Sequence, residues 1–237
     1  MNRWILLLFL LLPQTLIGAE EFWERKDYRQ WTEKECRKLL QDSPWTRKYT
    51  WARPVVELIE PGQTASIERV REPNPEISYN ARILSALPVR QALVRLTQLT
   101  RKYDAMSPED RLKFDAEAER FLAALFPDAI VISVTYGSNV AAYDQDLARY
   151  WQTQTVETLK NTVFLLAPEG SLVLSFYDAE RGDGRSFQFV FPRPRLEPDD
   201  RSLKLEFLHT NIREEGEQRV LLEFPVKRMV VAGAVVY

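Results

Sequence analysis

"TVFLLAPEGSLVLSFYDAERGDGRSFQFVF", residues 162–191, sets apolar runs between two turn signals, Glu169-Gly170 and Asp183-Gly184. An acidic residue followed by glycine suits a hairpin turn, because glycine takes positive φ without steric cost. The rhythm of strand, turn, strand extends over the second half of the chain. Strands are predicted at 156–167, 171–178, 185–192, 203–209 and 218–231, with a last piece ending at Tyr237. Several short strands at this spacing predict a β-sandwich.

Upstream, helical and strand signals alternate. "AIVISVTYGS" (129–138) reads as a strand, and "ISYNARILSA" (77–86) alternates Ile77, Tyr79, Ala81 and Ile83 against polar neighbours. A helix is the alternative for that second stretch. "KYTWARPVVELIE" (48–60) is rich in β-branched and aromatic residues, and Pro54 suggests an edge strand. Between 88 and 126 two helices are predicted. Pro88 starts the first, with Val89, Ala92, Leu93, Leu96, Leu99 and Tyr103 in one stripe. Ser107-Pro108-Glu109-Asp110 caps the second, with Phe114, Ala118, Phe121, Leu122 and Leu125 as its buried face. "DQDLARYW" (144–151) predicts a short helix. In "TEKECRKLLQDSPW" (32–45), Thr32 and Glu35 form a capping box, and Cys36, Leu39 and Leu40 share a face. Pro44 ends that helix near Asp42. The fold expected is α+β: an antiparallel, immunoglobulin-like β-sandwich with an N-terminal helix and a helical pair inserted at about 88–126. A split into two domains near 128 is the alternative.

The first residues carry a different kind of signal. Arg3 precedes nine apolar residues, Trp4 to Leu12, then Pro13 and the small residues Gly18-Ala19. This is the charge, apolar core and small-residue pattern of a secretory signal peptide, and nine residues are too few to span a bilayer. Cleavage after Ala19 is expected. Residues 20–237 then form one α+β unit, periplasmic or secreted, with no transmembrane segment. The net charge of −2 and the interspersed Lys, Arg, Asp and Glu argue against a nucleic-acid partner.

Signals for chemistry are sparse. His209 is the only histidine, so metal sites needing two imidazoles are excluded, and no G-x-S-x-G elbow presents a nucleophile. Cys36 is the only cysteine, so no internal disulfide forms. Its place on the leucine stripe predicts a buried, inert thiol, with an intermolecular disulfide as the alternative. Asp178, Glu180 and Asp183 sit in one turn but lack the spacing of a calcium loop. No metal or cofactor is expected. Four of the six tryptophans, Trp23, Trp31, Trp45 and Trp51, crowd near the N-terminal end. Exposed, they would stack on sugar rings; buried, they would pin the N-terminal segment to the sandwich, which is the expectation.

"WTEKECRKLLQDSPW", "SALPVRQALVRL", "ARYWQTQTVETLKNTVFLL" and "GEQRVLLEFPVKRMVV", together with the N-terminal signal, resemble a group of uncharacterised exported bacterial proteins. The resemblance implies export and a single unit, and it carries no site residue. The function expected is that of an exported, non-enzymatic interaction or structural protein whose partner is another envelope protein or a polysaccharide. The alternatives are a carboxylate-dependent hydrolase and a carbohydrate-binding module using the N-terminal tryptophans.

Overall fold

The computed structural model describes residues 21–52, 74–179, 185–209 and 217–237. In chain order the elements are α1 (Phe22–Arg25), a 3-10 turn (Tyr28–Gln30), α2 (Glu33–Gln41), β1 (Thr46–Ala52), β2 (Glu76–Ile83) and α3 (Leu87–Thr100). A second 3-10 turn (Tyr103–Ala105) leads to α4 (Pro108–Ala123), β3 (Ala129–Ser138), α5 (Ala141–Thr153), α6 (Val156–Leu159) and β4 (Val163–Ala167). Then come β5 (Gly170–Val173), β6 (Phe176–Ala179), β7 (Ser186–Pro192), β8 (Leu203–His209) and β9 (Gln218–Phe224). A 3-10 turn (Val226–Met229) and the small hairpin β10 (Val230–Val231) and β11 (Ala234–Val235) close the chain. The fold is α+β.

Two antiparallel sheets carry it. One has the order β1-β2-β3-β7-β6 and the other β5-β4-β8-β9. The first sheet joins β1 and β2 from before residue 128 to β3, β6 and β7 from after it. Period-two alternation on β2 turns Ile77, Tyr79, Ala81 and Ile83 inward and Ser78, Asn80 and Arg82 outward. Phe187, Phe189 and Phe191 on β7, and Leu205 and Phe207 on β8, are equally buried. Tyr79 lies 5.2 Å from Phe207 and Phe189 lies 5.8 Å from it, so the inner faces meet ring to ring. Trp151 of α5 enters the same cluster, 4.1 Å from Phe187 and 5.7 Å from Phe207. Its indole N–H donates to the Tyr79 hydroxyl at 3.3 Å. Burying an indole removes roughly 200 Å² from water, about 5 kcal/mol of transfer free energy before entropy is charged against it.

Several sequence expectations shift. The stretch 156–167 is not one strand, because Thr155 and Thr158 form a capping box that starts α6 and delays β4 to Val163. The stretch 171–178 divides: the chain leaves the second sheet after Val173 and enters the first at Phe176. The stretch 218–231 stops at Phe224, since Pro225 cannot donate to a ladder and a 3-10 turn follows. Ala232 and Gly233, both at positive φ, then turn the closing hairpin. β2 forms as a strand, β1 occupies a sheet edge, and α5 is longer than predicted. Residues 53–60 of the predicted first strand lie outside the described residues.

The predicted buried face of α4 needs the largest correction. No residue of this 16-residue helix is buried. Phe114, Ala118, Phe121 and Leu122 are half-buried and Leu125, beyond the helix, is 86% exposed. The stripe rests on α3 and the Tyr103 ring rather than on a sheet, so it is covered less than a core helix would be.

Candidate interaction surface

The four N-terminal tryptophans divide three to one. Trp31 and Trp45 are fully buried and Trp51 nearly so, while Trp23 is half-buried. Phe22 packs edge-on against Trp31 at 5.4 Å, and Trp23 against Trp45 at 5.7 Å. The Trp31 indole donates to the Lys26 carbonyl at 3.2 Å. These rings pin the N-terminal segment to α2, and three of the four present no free face to a ligand. Cys36 is also fully buried, where loss of hydration pushes its thiol up to about 11. It has no way to reach a partner thiol while the protein is folded. His209 ends β8 opposite Gln218. Of the Asp178, Glu180 and Asp183 turn, the latter two residues lie outside the described residues. Among the described residues no three His, Cys, Asp or Glu side chains are grouped to hold a metal.

What the fold does present is the hairpin of α3 and α4. Leu87 begins α3 at its foot, and Lys102 in the left-handed region turns the chain at its tip. Arg90 locks the foot. This side chain is buried, and its Nη1 donates to the carbonyls of Phe121, Leu122 and Ala124 at 2.7, 2.9 and 2.9 Å. These are the carbonyls that a helix leaves unsatisfied at its C-terminal end, and a cation there also meets the negative end of the helix dipole. Nη2 reaches the Ser85 carbonyl at 3.4 Å, and the guanidinium lies 5.2 Å from the Phe126 ring centre. At the tip the Tyr103 hydroxyl donates to Asp115 at 2.8 Å, and this bond raises the tyrosine pKa.

A groove runs along each side of the hairpin. The smaller, about 200 Å³, has Leu93, Val94, Phe114 and Phe121 in its walls, with Glu117 among its lining residues. The larger, about 830 Å³, opens between the hairpin and the turn carrying Tyr28 and Arg29, and mixes Arg95 with Asp104, Asp115 and Glu119. Leu112, 73% exposed, stands on the outer side of α4. The one large apolar residue of α4 that falls off the Phe114 stripe was the available sequence signal for this surface. Arg90 carried none, because an arginine in a helical pattern reads as solvent-facing. Among the described residues no helix is long and apolar enough to cross a membrane.

Comparison of the chain with protein-family models, with curated proteins and with solved structures returns no match.

Proposed function

We propose that this is an exported interaction protein without a catalytic centre, in which the two sheets are the scaffold and the α3–α4 hairpin is the contact surface. The layering is that of an immunoglobulin-like sandwich, two antiparallel sheets over a shared core, while the strand order is its own. One observation carries the reading: a 16-residue helix with no buried residue, held at its foot by a buried arginine, leaves its stripe half-covered and presents Leu112 to solvent. A helix gains most of its stability from tertiary packing, so one covered on a single side is suited to a second partner. The partner class expected is another envelope component.

The test is site-specific photo-crosslinking in the native envelope. A photoreactive residue at Leu112 is expected to give a discrete adduct. The same residue at Lys48, on the outer side of the first sheet, is expected to give none. Absence of any adduct at 112 at native abundance would overturn the reading.

A further inference from the structure

We propose that the groove between the α3–α4 hairpin and the Tyr28 turn is a binding site for short zwitterionic peptides, with a carboxylate held on Arg95 and Gln98 and an ammonium group on Asp115 and Glu119. Leu112 lies outside this groove, so the inference does not depend on what that residue contacts.

Arg95 anchors the α3 wall. It is half-buried, and its Nε donates to the Trp31 carbonyl at 3.0 Å while its Nη1 donates to Gln98 Oε1 at 3.3 Å. These bonds fix the guanidinium and leave further N–H donors open. Among the described residues it has no ion-pair partner, although Asp104, Asp115 and Glu119 line the same groove. A guanidinium accepts no hydrogen bond, so Gln98 turns its carbonyl oxygen to Arg95 and keeps its amide N–H donors for another group. Gln91, one turn earlier on the same wall, adds a second amide. A fixed fork beside a donor amide matches the two oxygens of a carboxylate.

The opposite wall asks for the other sign. Asp115 and Glu119 lie one turn apart on α4. Asp115 accepts from the Tyr103 hydroxyl, and Glu119 has no ion-pair partner among the described residues. The charged lining residues are Arg29 and Arg95 against Asp104, Asp115 and Glu119, two cations and three carboxylates, for a net charge of −1. An isolated anion meets that acidic surplus, and an isolated cation leaves the Arg95 fork unused. A ligand carrying both signs satisfies both walls. The volume, about 830 Å³, falls within the range of small-ligand sites, roughly 300–1,000 Å³, and Leu87 and Leu122 supply an apolar part of the lining.

The test is titration of the isotope-labelled protein with the tripeptide Ala-Ala-Lys, free at both ends, followed by amide chemical shifts. Shifts are expected along residues 91–98 and 115–123, with a dissociation constant on the order of 1 mM. The same peptide with an amidated C-terminus is expected to bind about tenfold more weakly, since it lacks the carboxylate. Acetylated Ala-Ala-Ala, which keeps the carboxylate and has no ammonium, is expected to bind about threefold more weakly, as is Ala-Ala-Lys to Glu119→Gln, because that ion pair is exposed. Inorganic phosphate is expected to give no shift in these residues. Gln98→Glu sets a carboxylate beside Arg95 and so occupies the fork; it is expected to abolish the tenfold preference for the free acid. Its melting midpoint, expected at or above the parent's, is the folding control. Absence of shifts up to about 10 mM peptide overturns the proposal. So does an amidated peptide that binds as tightly as the free acid, which would make the groove a general acidic patch, and so does a Gln98→Glu variant that keeps the preference. Phosphate shifting the same residues would show an anion site only. Because Leu112 lies outside the groove, each of these results leaves the crosslinking test of the proposed function unaffected.

Discussion

The indole Nε1 of Trp45 donates to the main-chain carbonyl of Val236 at 2.6 Å, closing a contact across 191 residues of sequence. It ties the approach to β1 to the last residues of the chain. Beside it the Tyr237 hydroxyl donates to the Pro194 carbonyl at 2.7 Å, and the Arg193 guanidinium stacks 3.9 Å from the Tyr237 ring centre. Trp45→Phe keeps a ring but leaves a carbonyl without its donor and a gap in a fully buried site, together worth about 2 kcal/mol or more. A lower urea midpoint with an unchanged slope is expected. Removing Val236 and Tyr237 should destabilise more, and Trp45→Phe should then cost less than in the parent, because its acceptor is already gone.

Arg90→Met keeps the volume and removes every donor from the foot of the hairpin. Three carbonyls at the end of α4 then lose their partner, for a loss of about 2 kcal/mol or more. The effect should be uneven. Amide exchange of α4 should accelerate well before that of β2, β3 and β7, because α4 packs only on the surface, against α3 and the Tyr103 turn, while those strands share the main core. Arg90→Lys should recover only part, since one ammonium cannot hold both the α4 carbonyls bonded by Nη1 and the Ser85 carbonyl bonded by Nη2. Uniform acceleration across sheet and hairpin would show instead that α4 is part of the global unfolding unit.

The α+β class was legible because alternation survives wherever a strand has one wet face. Ile77 to Ile83 and Phe187 to Phe191 both read correctly for that reason. The sheet to which a strand belongs was not legible: residues 171–178 look continuous, yet the chain changes sheets at Leu174-Ser175, and both sides of the crossing are equally apolar. The α4 stripe misled in another way. Periodicity reports that a face is covered and not by how much, so resting on one helix and burial in the core give the same pattern. The capping residues Thr32 and Ser107 were legible because a cap is a local bond, complete within four residues.

Cys36 offers a direct reading of native-state opening. Its thiol is fully buried and pushed up to about 11, so neither access nor ionisation favours reaction at pH 8. Labelling by an aromatic disulfide should be far slower than for a denatured control and should accelerate with added urea in step with unfolding. Fast labelling under native conditions would mean that α2 opens locally.

The capping box at the start of α2 makes acid sensitivity specific to one residue. Glu35 accepts from Lys26 Nζ at 2.5 Å and from the Thr32 N–H at 2.9 Å, and these bonds hold its carboxyl down to about 2. The folded state therefore binds this proton less readily than the unfolded chain. The contribution is complete above the ordinary carboxylate value, about 4.3, and is lost as pH falls through about 2. Glu35→Gln keeps an acceptor for the Thr32 N–H and removes the titration, so the stability of this variant should fall less steeply than that of the parent between those limits. Thr32→Ala, by contrast, removes the acceptor for the Glu35 N–H and should cost about 1 kcal/mol. Its denaturation midpoint should be lower at neutral pH, where Glu35 is charged in both states. Parallel pH curves for the parent and Glu35→Gln would assign the acid sensitivity to other carboxylates.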